Sequence, residues 1–456
     1  PHASSSAASD VYKRQKFKCR IITNMRIHIL GICGTFMAGL AQILKESGHD
    51  VSGADAKFYP PMSDYLKKIG IKTIEGYEKK SLPEADLYVI GNALSRGNEC
   101  VEEILDQKLP YVSGPEMLGK ELKNRNVFAI SGTHGKTTTS YMLAHIFLDQ
   151  GREIGYLVGG ISDDFDNSAC LGKDPIFVIE ADEYDSAFFD KRSKFIHYSP
   201  TNLIINNIEF DHADIFNDIE DVKKQFHHLI KIIKSSGNII YFDDDSTSKE
   251  VIEKGIWCNK IGINSNGVKA DFESKELIID DEIFQLNELP LIGEHNFKNY
   301  VCSILAAKLV GISETESINS LKKFKGVKRR MDFIKEISGI RIYDDFAHHP
   351  TAIKLSCSAI RNKYSDKKIL GLIELGSNTM SSGYHKENLI NSFGSLDEFV
   401  MLDPNKNYKI NNAFDSENEL LKNLEEKIFD YDIILIMTNK DSQKFINPII
   451  NSIEKK

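Results

Sequence analysis

The sequence has few cysteines, and none of its seven cysteines forms a CxxC pair. This absence argues against a zinc site of paired cysteines and against a disulfide framework, and it favours reduced thiols in a cytoplasmic protein. The sequence also lacks any apolar run of about 18 residues, which a membrane-spanning helix would need. It has no low-complexity tract and no internal repeat, which argues against solenoid architectures.

Neither sign of charge dominates the chain. The formal net charge is −9, which argues against bulk nucleic-acid binding but permits an anionic substrate at a local basic site. A length of 456 residues predicts two to four domains, and 41% hydrophobic residues supply material for several cores.

The first 24 residues differ in composition from the rest. Serine and alanine dominate the start and basic residues follow, without the apolar core of a signal peptide. We expect 1–24 to be a non-native or disordered leader and Met25 to be the natural start. A short basic extension is the alternative.

The stretch 127–139 has the layout of a P-loop. Four apolar residues, 127–130, predict a buried strand, and the apolar spacing further on predicts a helix over 137–150. The turn between them consists of Gly132, Thr133, His134, Gly135, Lys136, Thr137 and Thr138. Such a turn binds phosphate through backbone N–H groups, a lysine and a magnesium-binding hydroxyl. Ile130 stands where the common pattern has its first glycine.

A second glycine turn follows a predicted strand at 27–30. It contains Gly31, Cys33, Gly34 and Thr35, and the next strand ends near Asp55. As the first turn of a Rossmann-like unit, it can place a diphosphate at a helix N-terminus and Asp55 near a ribose. The spacing is not GxGxxG, which argues against a nicotinamide cofactor.

Acidic residues follow one later apolar strand, and a histidine follows another. Glu180 and Glu183 come after the strand at 176–179, and His212 follows the strand at 203–205. The carboxyl ends of parallel strands meet at one edge of a sheet, so these side chains are predicted to converge on a metal–phosphate site. A solvated acidic turn is the alternative.

The last part of the chain alternates strands and helices again. A hairpin is expected at Ser338-Gly339. Further strands are predicted at 369–374, 398–402 and 432–437, and helices at 350–362, 385–393, 416–427 and 441–449. This alternation predicts another α/β unit.

The motifs of these segments, taken together, resemble those of the Mur ligases, ATP-dependent enzymes that form amide bonds in peptidoglycan synthesis. They run over 132–139, 180–183, 207–212, 293–299, 329–330 and 344–350. The resemblance implies an α/β fold of three domains. These are a Rossmann-like UDP-sugar-binding domain at 25–124, a central P-loop ATPase domain at 125–326, and a Rossmann-like domain at 327–456 that binds the incoming peptide.

The resemblance also implies ATP and Mg²⁺ as cofactors and assigns roles to single residues. Lys136, Glu180, His212 and Arg330 are the implied catalytic residues. Lys136 and Arg330 are implied to contact phosphates. Thr137 and Glu180 are implied to bind magnesium, with Glu183 as the alternative to Glu180, and His212 a second metal. Asn299 is implied to contact the adenine and Asp345 the nucleotide ribose.

Two activities of the family fit best. One couples L-alanine to UDP-N-acetylmuramate, and the other couples L-Ala-γ-D-Glu-meso-diaminopimelate, a tripeptide recycled from murein, to the same sugar. The stretches 31–39, 183–194 and 377–380 favour the second. The residues implied to bind the peptide are Ser377, Asn378 and Thr379. Leu375-Gly376 stand where the pattern has Pro-Arg, so an arginine that would touch the peptide is missing or replaced.

Two more distant readings are a folylpolyglutamate-synthase-like ligase, which lacks this N-terminal domain, and a non-catalytic nucleotide-binding protein. The implied partners are UDP-N-acetylmuramate and a murein tripeptide, without nucleic acid or membrane. The protein is expected to be a cytoplasmic monomer or weak dimer.

Overall fold

The computed structural model describes residues 24–211, 215–265, 267–376, 386–408 and 410–455, apart from the side chains at 386, 387 and 426. These residues form two compact units, which adjoin in sequence between Gly114 and Pro115. Within the described ranges, no helix combines the length and the hydropathy that crossing a bilayer requires.

The first unit contains a five-stranded parallel sheet. Its strands are β1 (Arg26–Leu30), β2 (Asp50–Asp55), β3 (Lys72–Glu75), β4 (Leu87–Ile90) and β5 (Tyr111–Ser113), and its helices are α1 (Thr35–Glu46), α2 (Met62–Lys68) and α3 (Glu99–Asp106), while α4 (Gly114–Leu122) begins at its last residue. The order is β3-β2-β1-β4-β5. The turn after β1 therefore lies at the switch point of the sheet, where α/β folds bind ligands.

The second unit begins with a seven-stranded sheet in the order β14-β13-β12-β6-β9-β7-β8. Its strands are β6 (Asn126–Ser131), β7 (Gly155–Leu157), β8 (Ala169–Cys170), β9 (Ile176–Glu180), β12 (Asn202–Ile205), β13 (Asn238–Phe242) and β14 (Asn259–Ile263). All neighbours are parallel except β7 and β8. Two small antiparallel sheets pair β10 (Asp185–Ala187) with β11 (Asp190–Ser193), and β15 (Val268–Asp271) with β16 (Glu276–Ile279) and β17 (Glu282–Gln285). The helices are α5 (Lys136–Asp149), α6 (Ile219–Lys231), α7 (Ser246–Glu253), α8 (Glu294–Lys308) and α9 (Glu314–Leu321).

A six-stranded sheet completes the second unit, in the order β18-β19-β23-β20-β21-β22. Its strands are β18 (Asp332–Ile337), β19 (Ile340–Asp345), β20 (Ile369–Glu374), β21 (Glu398–Leu402), β22 (Ala413–Phe414) and β23 (Ile433–Thr438). Only β18 and β19 are antiparallel. The helices are α10 (Pro350–Lys363), α11 (Lys386–Asn391), α12 (Glu417–Lys427) and α13 (Gln443–Glu454).

The helix after the P-loop turn, α5, is buried along most of its length and packs against α8. Its Tyr141 and Phe147 are fully buried. Burying one such aromatic side chain stabilises a fold by about 2–3 kcal/mol. A helix that is buried on nearly all sides lies between layers of the fold, so the turn at its start is attached to a firmly packed element.

The predicted α/β class is confirmed, and the described residues contain three main sheets, of five, seven and six strands. Strands at 369–374 and 398–402 have the predicted bounds, and Ser338-Gly339 joins β18 to β19. The domain ranges 25–124, 125–326 and 327–456 stay predictions.

Candidate active site

Two glycines shape the loop between β6 and α5. Gly132 and Gly135 have φ values of 128° and 84°, in the region that side chains disfavour. A Cβ atom at Gly132 would lie 2.9 Å from the carbonyl oxygen of Asn207, and one at Gly135 would lie 2.6 Å from Oδ1 of Asn299. Both positions therefore require glycine. The loop ends at the N-terminus of a helix, which attracts phosphate.

The ammonium group of Lys136 lies among buried carboxylates. It donates to the carbonyl oxygen of Gly132 at 2.7 Å and to Oε2 of Glu183 at 3.2 Å, and Oδ1 of Asp182 is 3.9 Å away. Burial alone would lower the pKa of Lys136, but the charges of Glu183, Asp182 and Glu180 raise it above its ordinary value. Lys136 is thus a firmly held cation, and Glu183, the alternative magnesium ligand, is its ion-pair partner.

Thr137 and Glu180 form a pair of hard oxygen ligands. The Thr137 hydroxyl donates to Oε1 of Glu180 at 2.7 Å, and the N–H of Gly159 donates to Oε2 at 2.8 Å. Burial and the charge of Asp182 raise the pKa of Glu180, so a bound cation would stabilise its carboxylate. Hydroxyl and carboxylate oxygens suit Mg²⁺, so these residues fit the predicted magnesium site.

Three asparagines pack beneath the loop. Nδ2 of Asn206 donates to the carbonyl oxygen of His134 at 3.3 Å and to Oγ1 of Thr139 at 3.0 Å. Oδ1 of Asn207 accepts from the N–H of His134 at 2.9 Å. Asn299 is buried, and its Oδ1 lies 3.5 Å from Nδ2 of Asn206. Asn299 therefore supports the loop, and its contact with adenine stays a prediction.

The segment that precedes β18 contributes a cation near the Thr137 hydroxyl. Nη2 of Arg330 is 3.5 Å from Oγ1 of Thr137, and its guanidinium lies 4.8 Å from the ring centre of Phe346. Burial lowers the pKa of Arg330, although a guanidinium stays charged in proteins. Burial raises the pKa of Asp345, whose Oδ2 accepts from the Ser356 hydroxyl at 2.7 Å. Both Arg330 and Asp345 line the cleft that holds the P-loop.

That cleft has a volume of about 720 Å³. Most residues predicted for ATP and magnesium line it, namely Thr133, His134, Gly135, Lys136, Thr137, Thr138, Glu180, Asn299, Arg330 and Asp345. The structure therefore brings together residues that are far apart in sequence and come from two sheets.

One cluster in this cleft was not predicted from the sequence. Nε2 of His134 and Nδ1 of His349 each lie 3.7 Å from Oε2 of Glu209, and the Thr351 hydroxyl donates to the same oxygen at 2.6 Å. Although burial would raise the pKa of Glu209, His134 and Thr351 hold it well below its ordinary value. Glu209 follows β12, whereas His349 and Thr351 belong to the start of α10, so one carboxylate links the two large sheets. The adjacent histidines before Pro350 were the available signal.

Glu209→Gln should weaken this link by about 1–2 kcal/mol at neutral pH, since a charged acceptor becomes neutral. The pKa of Glu209 is lowered in the folded protein, so its contribution is complete above the ordinary pKa of glutamate and disappears as pH falls through the folded value. Melting temperatures of wild type and variant should therefore differ at pH 7 and pH 5, draw together below about pH 4, and become equal only near pH 2, the pKa of Glu209 in the folded protein. Thr351→Val is measured alongside, because it removes the hydroxyl that donates to Glu209 and leaves the charge of Glu209 in place. A melting-temperature difference between wild type and Glu209→Gln that is the same at every pH would contradict a role for the charge.

In the first unit, the glycine turn has the predicted geometry. Gly31 has a φ of 80°, and α1 starts at Thr35 directly after Gly34. Oδ2 of Asp55 accepts from the N–H of Cys33 at 2.7 Å. Burial and the charge of Asp55 raise the pKa of the Cys33 thiol to about 11, so the thiol stays protonated at neutral pH. Diphosphate and ribose contacts of these residues stay predictions.

Four predicted residues lie outside the described part of the chain. They are His212, Ser377, Asn378 and Thr379.

Three family models match successive parts of the chain. They are the Mur ligase family catalytic domain at 26–126, the Mur ligase middle domain at 130–307, and the Mur ligase glutamate ligase domain at 329–439.

Individual relatives match over most of the chain. A UDP-N-acetylmuramate–L-alanyl-γ-D-glutamyl-meso-2,6-diaminoheptandioate ligase of Escherichia coli K12 is 46% identical over 389 residues, which cover 83% of this chain and 85% of the relative. A UDP-N-acetylmuramate–L-alanine ligase of Clostridium kluyveri is 33% identical over 398 residues, covering 84% of each chain. The crystal structure of a murein peptide ligase from Psychrobacter arcticus 273-4 has a TM-score of 0.72 at 35% identity, covering 95% of this chain and 99% of the other.

Proposed function

The chain belongs to the Mur ligase family, and from this premise we propose that it couples L-Ala-γ-D-Glu-meso-diaminopimelate to UDP-N-acetylmuramate at the expense of ATP. The reaction returns a recycled murein peptide to a nucleotide-linked precursor. The carrying observation is the 46% identity to a relative named for this reaction, against 33% to one named for alanine ligation.

The chemistry follows from the poor reactivity of a carboxylate at neutral pH. The lactyl carboxylate of the sugar attacks the γ-phosphorus of ATP, the bond to the β–γ bridging oxygen breaks, and ADP leaves. The resulting acyl phosphate is attacked by the terminal amine of the peptide, and the tetrahedral intermediate loses one amine proton and expels phosphate to give the amide. The protein's contribution to both steps is positioning and stabilisation of developing charge.

Residues of the cleft supply that charge. Lys136 lies at the P-loop to contact the outer phosphates, and Arg330 approaches from the segment that precedes β18 to within 3.5 Å of the Thr137 hydroxyl. Thr137 and Glu180 would hold Mg²⁺, which neutralises phosphate charge when bound. Asn299 would contact the adenine and Asp345 the ribose. A cytoplasmic location and a monomeric or weakly dimeric state stay predictions.

The acceptor decides between the two nearest activities. Purified protein is incubated with ATP, Mg²⁺ and UDP-N-acetylmuramate, with either L-alanine or the tripeptide as acceptor, and products are read by mass spectrometry. We expect kcat/KM for the tripeptide to exceed that for L-alanine by at least about a hundredfold, because a site that pairs with extra polar groups rejects ligands lacking them. Preference for alanine would establish the alanine ligase instead. Use of neither acceptor, in a protein that binds ATP, would favour the folylpolyglutamate-synthase-like or non-catalytic reading.

A further inference from the structure

Gly376, just after β20, lies against Asn439 and Lys440, just after β23. A Cβ atom at Gly376 would overlap Oδ1 of Asn439 and would lie 2.9 Å from Cγ of Lys440. The backbone of Gly376 is not in the left-handed region, so close approach alone demands glycine here. The stem of Lys440 and the carboxamide of Asn439 thus fill the space that a side chain at 376 would need.

The ammonium group of Lys440 lies near the carboxylate of Glu374 but is not hydrogen-bonded to it. Glu374 is buried, and both its oxygens are already engaged, Oε2 by the Thr438 hydroxyl at 2.8 Å and Oε1 by Nζ of Lys444 at 2.7 Å. Nζ of Lys440 lies 3.8 Å from Oε1, beyond hydrogen-bond distance. The Lys440 side chain is 55% exposed, so its ammonium group can reach a ligand.

The position of Lys440 suits a ligand that extends out of the cleft. Its neighbour Asn439 lines the cleft together with Arg330. The start of α13 at Gln443 adds partial positive charge to the same edge, and α/β sheets bind ligands at the carboxyl ends of their strands. An anion at Lys440 would therefore lie next to a residue that lines the cleft and close to the N-terminus of α13.

We propose that Lys440 binds a carboxylate of the incoming peptide remote from its reacting amine, with the Asn439 carboxamide as the adjoining hydrogen-bonding group. This inference rests on the proposed function. The tripeptide carries several carboxylates beyond the position of alanine, whereas free alanine carries one, next to its amine. A lysine on a flexible stem acts as a point charge for such a group and does not impose the planar geometry of arginine.

The test is Lys440→Met, assayed with the full chain. KM for the tripeptide should rise about tenfold or more, while KM for ATP and any slow ligation of L-alanine stay within about twofold. Lys440→Arg should retain most of the affinity. Lys335→Met is the matched control, since Lys335 has a similar exposure of 50% and pairs with Glu454.

Shortened acceptors identify the carboxylate. The penalty of Lys440→Met should disappear for an acceptor in which the recognised carboxylate is amidated or absent, tested with L-Ala-γ-D-Glu and with the tripeptide amidated on diaminopimelate. An unchanged KM for every peptide in the variant would overturn the inference, and so would an equal penalty for alanine and tripeptide. If the wild-type protein ignores the tripeptide altogether, the proposed function itself is wrong.

Discussion

Lys136→Met should reduce ligation by about a hundredfold to a thousandfold, the largest effect we expect from any single change. Removing one preorganised charge-stabilising donor costs about 10²–10³ in rate in well-studied enzymes. Lys136 is the cation at the start of α5, with Nζ 2.7 Å from the carbonyl oxygen of Gly132 in the phosphate loop. Methionine keeps the length of the side chain and removes its charge.

The same change should also affect stability, because Lys136 compensates buried carboxylates. Its ammonium group is 3.2 Å from Glu183 and 3.9 Å from Asp182. Taking away one partner of a buried ion pair leaves the other uncompensated, which typically costs about 3–5 kcal/mol. A loss of activity in the single variant could therefore reflect either chemistry or folding.

The double variant Lys136→Met/Glu183→Gln separates the two effects. It removes one negative charge together with the positive one, so its melting temperature should recover toward that of the wild type. Its ligation rate should remain as low as that of Lys136→Met. Circular dichroism and a phosphate-release assay supply the two measurements. Recovery of turnover in the double variant would show that Lys136 is not needed at the transferring phosphate.

The P-loop was predictable because local rules fix it. The apolar run of the strand, the glycine-rich turn and the spacing of apolar residues after Lys136 all lie within about 25 residues of sequence. The carboxylate at Glu180 was also predictable, because the carboxyl end of a parallel strand is an edge position in this class of fold.

Contacts between sheets were not predictable in the same way. The cluster of His134, Glu209 and His349 joins three segments, and its geometry depends on how the six-stranded sheet meets the seven-stranded one. The small sheets of β10–β11 and β15–β17 were missed because their strands have three or four residues, too few for a periodic pattern. Asn299 was assigned from a motif, yet its position beneath Gly135 is a matter of tertiary packing.

Arg330→Met and Arg329→Met should affect different properties, although the two residues are neighbours in sequence. The first should impair catalysis, and the second should reduce stability. Arg330 faces the cleft, with Nη2 3.5 Å from the Thr137 hydroxyl. Among the described residues, no carboxylate lies within ion-pair distance of it. Losing this charge should lower kcat/KM for ATP by about a hundredfold, with a smaller loss of melting temperature than Arg329→Met, because buried Asp345 loses only the longer-range attraction of Arg330.

Arg329 serves the fold instead. Its Nε lies 3.3 Å from Oδ2 of buried Asp344, and its Nη2 donates to the carbonyl oxygen of Thr438 at 2.7 Å, so it ties the segment before β18 to the ends of β19 and β23. Arg329→Met should cost about 3 kcal/mol of stability and leave KM for ATP nearly unchanged at temperatures where the variant is folded. Thermal unfolding and ATP titrations of both variants give the comparison. If Arg329→Met impairs catalysis in the folded state and Arg330→Met does not, the roles of the two arginines are the reverse of those their contacts indicate.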